Sequence, residues 1–296
     1  MARVAEWTAV ARPARGVVSA RVRRVLFSRP LVVFGLVVVG MFLASALFAP
    51  LLAPYDPYAQ DLRNVLQRPT AEHWLGTDAL GRDVLSRLIY GARTSLIVAV
   101  GAVLMGGAAG VILGLIAGFV GGRVGVFIMR CMDALMAMPP LVFTLVITSL
   151  LGAGVRNVMV ALAVAFIPGY TRLTFGQTLS VKENEYVIAA RALGASTSRI
   201  MFRHILPNCL SPLIVQASLS LGGAMLIEGS LSFLGVGIKP PTPAWGSMVL
   251  EGYRFLTSFP LLSLAPGLAL MIVVFAFNMV GDGIRDALDP RLRGVV

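Results

Sequence analysis

Six long stretches of apolar residues constrain the fold of this 296-residue chain more than any other feature. A helix needs about 20 apolar residues to cross the hydrocarbon core of a bilayer, and each stretch reaches that length. Helices are indicated because a membrane barrel would show short strands of alternating polarity. The predicted spans are approximately residues 31–52, 94–120, 124–151, 157–179, 209–237 and 255–284.

The low content of charged residues supports the same fold class. Charged residues make up 13% of the sequence, whereas a soluble domain has roughly a quarter. This content excludes an ordinary soluble domain, a coiled coil and a disordered chain. The chain is therefore predicted to be an all-α integral membrane protein with about six transmembrane helices. The first span follows an Arg-rich segment and could be a signal peptide, but its length and the five spans after it favour an uncleaved helix.

The formal net charge of +11 could indicate nucleic acid, anionic lipid or membrane topology. With the N-terminus in the cytosol, 17 of the 25 basic residues fall on cytosolic segments, seven of them before the first span. The positive-inside rule therefore predicts that both termini are cytosolic. Topology accounts for the basic residues, so no nucleic-acid partner is predicted. We expect a basic arm, residues 1–28, near anionic lipid, followed by a transmembrane domain, residues 29–296.

Small residues and prolines predict how the spans pack. Glycine recurs every fourth residue in the second span, which lets a neighbouring backbone approach closely, within one subunit or between two. These glycines are Gly106, Gly110, Gly114 and Gly118. Prolines interrupt three other spans and are expected to bend them, because proline removes a backbone hydrogen bond. They form the pairs Pro139-Pro140, Pro168-Gly169 and Pro266-Gly267.

Two acidic residues inside apolar spans are candidates for the translocation path or gate. Glu228 lies in the fifth span, where a carboxylate is costly and indicates function; alternatively, it reaches the outer membrane interface. Asp133 lies three residues after Arg130, so a pair within one helix accounts for both charges. The two cysteines, Cys131 and Cys209, give no set of metal ligands, and no metal site is predicted.

The loop at residues 180–208 is the most informative segment. Its first half has a helical pattern that stops at Gly194, as helices often do at glycine. Ser196 or Thr197 can then cap a second short helix, which we expect Pro207 to close. The loop is thus predicted to form a helix–glycine–helix knob, with small residues for close approach and basic residues for an acidic partner.

This knob is similar to the "EAA" loop of the permeases of ABC importers. That pattern is Glu-Ala-Ala, three residues, Gly, nine residues, then Ile-x-Leu-Pro. The residues that match at the proper spacing are Ala189, Ala190, Gly194, Leu206 and Pro207. Ile188 stands where the pattern has Glu, and His204 where it has Ile. The first departure removes any ion pair that the glutamate would make with an ATPase.

Four further segments resemble signatures of the dipeptide/oligopeptide/nickel permease family, in its DppC/OppC branch. They are residues 73–87, 228–237, 240–246 and 281–291, and the resemblance covers residues 28–293. It implies the type I ABC importer permease fold in the cell inner membrane. It also implies four kinds of partner: a homologous second permease (DppB/OppB-like), two ATPase subunits, an extracytoplasmic binding protein and the lipid bilayer.

The resemblance further implies roles for individual residues. Those expected to couple to the ATPase are Ala189, Ala190, Gly194, Ala195, Ser196, Arg199, Phe202, Arg203, Leu206 and Pro207. Those expected to dock the binding protein, or else to lie in a solvated or interfacial loop, are Asp78, Arg82, Trp245 and Arg254.

The implied activity is import rather than catalysis. The sequence has no Gly-x-x-x-x-Gly-Lys-Ser/Thr phosphate loop, so ATP and Mg are expected on the partner ATPases and no cofactor on this chain. Di- or oligopeptides are the expected substrate, while nickel, glutathione and haem remain open within the same family. A different class, an ion-coupled secondary transporter, would use Glu228 and Asp133 as a proton relay.

Overall fold

The computed structural model describes residues 27–288, so the expectations for most of the basic arm and for residues 289–296 lie outside it. The described chain is helical, with one isolated β-bridge between Thr77 and Asp83. Its α-helices are α1 (Pro30–Leu47), α2 (Ala49–Leu52), α3 (Val84–Val120), α4 (Gly122–Met136), α5 (Pro140–Leu151), α6 (Val155–Lys182), α7 (Glu185–Ala192), α8 (Thr197–Arg199), α9 (Leu206–Phe233), α10 (Trp245–Tyr253) and α11 (Leu261–Leu288). A π-helical turn, Ile200–Ile205, joins α8 to α9.

Within residues 27–288, five helices are long and apolar enough to cross a membrane, and the bent pair α4 and α5 makes a sixth span if it counts as one. The all-α membrane fold predicted from the sequence is therefore confirmed. One of the five is the continuous helix Thr197–Phe233, which unites α8, the π-helical turn and α9. The others are α1, α3, α6 and α11.

The second span begins ten residues earlier than predicted, at Val84 rather than residue 94. Asp83 caps this helix, because its carboxylate accepts a hydrogen bond of 2.7 Å from the backbone N–H of Ser86. The turns of α3 before residue 94 contain Arg87 and Arg93, and charged residues are unfavourable in a membrane span. The charge of Arg87 is, however, paired inside the protein.

The third span predicted at residues 124–151 consists of two helices, α4 and α5, with a sharp bend between them. Helix α4 ends at Met136, α5 begins at Pro140, and the two axes differ by 88°. Pro140 cannot donate a backbone hydrogen bond, and Pro139 has the extended ψ of 135° that precedes a proline. The pair Pro139-Pro140 was predicted to bend the span, and it ends the helix outright. Pro168 and Pro266 lie inside unbroken helices.

The expectation that Pro207 closes the second helix of the knob is wrong. Pro207 lies in the first turn of α9, and the helix continues through it. The wider π-helical turn immediately before it changes the hydrogen-bonding pattern, so the missing N–H of proline does not end the helix. The other end of α9 comes at Phe233, four residues before the prediction.

The glycine series lies at the contact between α3 and α6, which run side by side in the same direction. Each glycine of the series is buried against backbone or Cβ atoms of α6 between residues 163 and 178. A Cβ atom added to Gly110 would lie 2.6 Å from the Cβ of Tyr170, closer than real atoms approach. The glycines therefore serve packing within one subunit.

The bundle has two ends, which we name from the segments found there. The knob end contains residues 180–208 and the C-terminal ends of α3 and α6, where Lys182 Nζ donates to the carbonyl of Gly118 at 3.2 Å. Arg29, which precedes α1, pairs with Asp286 near the end of α11. The cap end contains residues 53–83 and 234–260. Which end faces the cytosol stays a prediction.

Candidate functional site

The knob is built around a tight glycine turn. Helix α7 ends in two hydrogen bonds of 3.0 Å, from Gly194 N–H to the carbonyl of Arg191 and from Ala195 N–H to the carbonyl of Ala190. Gly194 has a φ of +78°, in the left-handed region where glycine has no Cβ penalty. These features define a Schellman motif, so the glycine stop predicted from the sequence is confirmed.

The knob is fixed firmly to the bundle. Val187, Ile200 and Ile205 are at most 2% exposed. They belong to an apolar cluster that includes Leu115 of α3 and Cys209 of α9. Because three membrane-crossing helices contribute to this cluster, a force on the knob acts directly on the transmembrane bundle.

The outer surface of the knob combines large apolar and basic side chains. The exposed apolar side chains are Tyr186, Ile188, Leu193 and Phe202, and Leu193 is 88% exposed. The exposed basic side chains are Arg191, Arg199 and Arg203. We call these seven residues the knob face. An apolar patch rimmed by polar residues is typical of a protein interaction site.

The predicted coupling residues divide into an exposed and a half-buried group. The exposed ones are Ala189, Gly194, Ser196, Arg199, Phe202, Arg203 and Pro207, and the half-buried ones are Ala190, Ala195 and Leu206. The sequence analysis missed Tyr186, Ile188 and Leu193. Apolar residues in an otherwise polar loop were the signal that could have found them. Ile188 gives the surface an apolar contact where the family pattern has a glutamate.

Asp133 pairs mainly with a different helix from the one predicted. Its carboxylate is 2.5 Å from Nη2 of Arg172 on α6, and 3.9 Å from Nη1 of Arg130 on its own helix. The expected pair within α4 is therefore secondary. The Arg172–Asp133 contact instead ties α4 to α6.

Glu228 is fully enclosed by protein, with no exposed surface. The hydroxyl of Ser95 on α3 donates to Oε2 at 3.0 Å, and that of Ser232 donates to Oε1 at 2.9 Å. Ser232 Oγ also accepts a 3.0 Å hydrogen bond from the backbone N–H of Ile238. The alternative that Glu228 reaches the membrane interface is wrong, because the segment after α9 folds back over it. Its role in the path or gate stays a prediction.

Glu228→Gln is expected to leave the protein assembled but to lower uptake several-fold. The amide matches the carboxylate in size and can still bond both serines, because a hydroxyl also accepts a hydrogen bond, so the substitution removes the negative charge and keeps the packing. Uptake and the recovery of intact complex would both be measured. Ser230→Ala, on an exposed serine of the same helix, is the control. Normal uptake by the glutamine variant would show that the carboxylate has no part in transport.

Four charged side chains form a network at the cap end. Asp78 Oδ2 lies 2.6 Å from Nε of Arg82 and 3.4 Å from Nε of Arg87. The Nη2 atoms of the two arginines lie 3.2 and 3.4 Å from Oε2 of Glu251, at the C-terminal half of α10. Both arginines are at most 3% exposed. The network therefore connects the segment before α3 to α10.

This network corrects the predicted docking residues. Asp78, Arg82 and Trp245 are at most 8% exposed and cannot form a contact surface themselves. The two charges are paired within the chain, and Trp245 is a core residue whose Nε1 donates to the carbonyl of Leu88 at 2.9 Å. Arg254 is exposed and stays a candidate. No local pattern in the sequence indicates this ion pair, because Asp78 and Arg82 lie in a turn before α3 and not on one face of a helix.

A cavity of about 440 Å³ opens beside the network, with Lys239 and Arg254 exposed at its rim. Its wall is otherwise mostly apolar and includes Ile238, Met248 and Phe255. Between residues 27 and 288 no three His, Cys, Asp or Glu side chains are grouped as metal ligands would be.

Comparison with known proteins identifies the family. The family model for the "binding-protein-dependent transport system inner membrane component" matches residues 110–294. The chain belongs to this family. A second model, the "N-terminal TM domain of oligopeptide transport permease C", matches residues 19–69. The fold and the family resemblance expected from the sequence are thus confirmed, and the chain is a multi-pass inner membrane permease subunit of an ABC importer.

Individual relatives are similar over nearly their whole length. The dipeptide transport system permease protein DppC of Alkalihalophilus pseudofirmus is 43% identical over 89% of this chain and 86% of its own. The di/tripeptide transport system permease protein DppC of Pseudomonas aeruginosa is 44% identical, over 88% of each chain. The glutathione transport system permease protein GsiD of Pectobacterium atrosepticum is 41% identical, over 92% of this chain and 90% of its own.

Proposed function

We propose that this permease forms half of the translocation pathway of an ATP-driven importer of di- or oligopeptides. The observation that carries the proposal is the knob, whose exposed face suits a protein partner while its base is fixed to three spanning helices. Peptide is the proposed substrate because relatives at 43% and 44% identity are named for dipeptide and di/tripeptide transport. A relative named for glutathione, itself a small peptide, fits the same substrate class.

Coupling would follow from the continuous helix Thr197–Phe233. An ATPase subunit docks on the knob face through its apolar side chains and through acidic groups that meet Arg199 and Arg203. When the ATPases close on ATP, the knob moves with them. Because the helix has no break between Arg199 and Glu228, the displacement reaches the cap end, where Glu228 holds α9 to α3.

The remaining partners follow from this arrangement. The knob end would face the cytosol, with two ATPase subunits that hold ATP and Mg, while the arm of residues 1–28 lies on anionic lipid. The cap end would meet the extracytoplasmic binding protein, with Arg254 as one contact. A homologous second permease completes the path. This chain binds no cofactor and contributes no catalytic residue in the proposal.

Uptake of a radiolabelled dipeptide tests the function. The permease would be reconstituted in proteoliposomes with the permease, ATPases and binding protein encoded beside it. We expect uptake to require both ATP and the binding protein, and unlabelled dipeptide in 100-fold excess to reduce it at least about tenfold. Glutathione, nickel and haem are tested as competitors in parallel. Strong competition by one of these, and none by dipeptides, would overturn the peptide assignment.

An uncoupler separates the importer from an ion-coupled transporter. Because ATP drives the proposed cycle, uptake is expected to persist when an uncoupler removes the proton gradient at constant ATP. Collapse of uptake under that condition would favour the ion-coupled alternative, with Glu228 and Asp133 as its relay.

A further inference from the structure

The ion pair between Arg172 and Asp133 lies at membrane depth. The neighbour of Arg172, Thr171, contacts the position of Gly114 on α3. Gly114 precedes the end of α3 at Val120 by six residues, which is about 9 Å at 1.5 Å per residue. The stretch of α3 from residue 94 to residue 120 carries no charge. The ion pair is therefore level with the uncharged, membrane-crossing part of the neighbouring helix.

The pair is nevertheless open to the outside of the chain. The side chains of Arg172 and Asp133 are 50% and 40% exposed. Charged side chains at membrane depth are costly in lipid and almost always face the bundle interior or water. This surface of α6 therefore does not face lipid.

The surrounding surface differs from the surfaces that suit lipid. On the same face of α6, at spacings of three and four residues, are Gly169 and Gly176, and nothing lies within 4 Å of a Cβ atom built on either. Helices α3 and α11, in contrast, expose series of large apolar side chains. On α3 they include Ile97, Leu104 and Ile112, and on α11 Leu268, Met271 and Phe275.

The excess of positive charge on this surface limits what can cover it. Arg130 and Arg172 share the single carboxylate of Asp133, and Arg130 is 79% exposed. A second permease packed over this surface would have to supply a carboxylate of its own, because an uncompensated buried cation is strongly unfavourable. Water, or a solute that carries a carboxylate, satisfies the excess charge.

We propose that the face of α6 with Gly169, Arg172 and Gly176, together with Asp133, lines the water-filled translocation path. The inference rests on the proposed function in one respect, namely that the permease forms a translocation path. The pair gives the path a polar lining with excess positive charge, suited to a solute with a carboxylate group. It also ties α4 to α6, so the helix break at residues 137–139 moves with the lining.

Cysteine labelling in the assembled transporter tests the proposal. Gly169→Cys is compared with Ile112→Cys, which lies at a similar depth on the exposed apolar face of α3 and is 49% exposed. Both variants are made in a background in which the native cysteines are replaced, by Cys131→Ser and Cys209→Ala, so that only the introduced thiol can react. The probe is 2-sulfonatoethyl methanethiosulfonate, a charged reagent that is excluded from lipid. A thiolate in water attacks its thiosulfonate sulfur, which forms a mixed disulfide and releases methanesulfinate.

We expect Gly169→Cys to react at least about tenfold faster than Ile112→Cys. ATP with vanadate holds the ATPases in one state. We expect it to change the labelling rate of Gly169→Cys and to leave that of Ile112→Cys unchanged. Equal rates at the two positions, whether fast or slow, would overturn the proposal. The readout does not depend on the identity of the substrate, so the labelling contrast can stand even if dipeptide uptake fails. Conversely, normal dipeptide uptake with equal labelling rates would overturn the path lining alone.

Discussion

Replacing Gly194 with valine is expected to lower uptake about 5–30-fold and to weaken the association of the ATPases. A residue with a Cβ atom costs roughly 1–2 kcal/mol in the left-handed region, and valine is β-branched. Gly194 has a φ of +78°, so the substitution strains the turn between α7 and α8. One to two kcal/mol corresponds to a factor of 5–30 in the population of the native turn. The knob face would then lose the shape that an ATPase recognises.

Backbone strain is the specific cause to be tested, because open space surrounds the position. Nothing lies within 4 Å of a Cβ atom built on Gly194. Gly194→Asn adds a side chain that tolerates the left-handed region, so it is expected to keep most of the uptake. Ser198→Val adds a β-branched residue at another exposed position of the knob. Uptake and copurification of the ATPases are measured for all three variants. Equal loss in the asparagine and valine variants would show that bulk, and not the turn, matters.

Replacing Arg87 with methionine is expected to destabilise the cap end by about 3–5 kcal/mol, the usual cost of removing one partner from a buried ion network. Arg87 is 1% exposed and lies near both Asp78 and Glu251. Without it, two carboxylates share the single guanidinium of Arg82. Methionine is similar in length, so the loss of charge, and not a cavity, dominates the effect.

The thermal unfolding midpoint of the purified complex in detergent is the measurement for Arg87→Met. Arg93→Met is the control, because Arg93 is exposed on the same helix and has no ion-pair partner among the ion pairs of residues 27–288. We expect a large decrease in the midpoint for Arg87→Met and little change for the control. Equal midpoints would mean that the network contributes no net stability, as happens when the desolvation of buried charges cancels their attraction.

The knob and the ion pair of Arg172 suggest a division of labour within the bundle. The helix from Thr197 to Phe233 connects the knob to Glu228 without a break, so it suits the transmission of movement. The pair α4 and α5 is bent by 88°, and the ion pair of Asp133 with Arg172 joins α4 to α6. A continuous helix and a bent helix pair within one bundle suit a path that opens alternately to two sides.

Local features of the chain could be predicted from the sequence because they depend on neighbouring residues alone. Hydropathy located the spans, since burial in lipid acts on each stretch of about 20 residues independently. The glycine stop at Gly194 and the break at Pro139-Pro140 follow from backbone conformations that these residue types favour or forbid. The Gly106 series predicted close packing for the same reason, although not the identity of the neighbour.

Other features were decided only by tertiary structure, because they pair residues far apart in the chain. Glu228 is satisfied by Ser95, and Asp133 by Arg172, and no local pattern links such residues. The predicted docking residue Trp245 proved to be core, since its indole nitrogen binds the carbonyl of Leu88. Sequence alone thus identified a membrane importer subunit and located the knob at residues 180–208. The fold decided which charges are buried and which remain exposed, because burial depends on the neighbours that three-dimensional packing supplies.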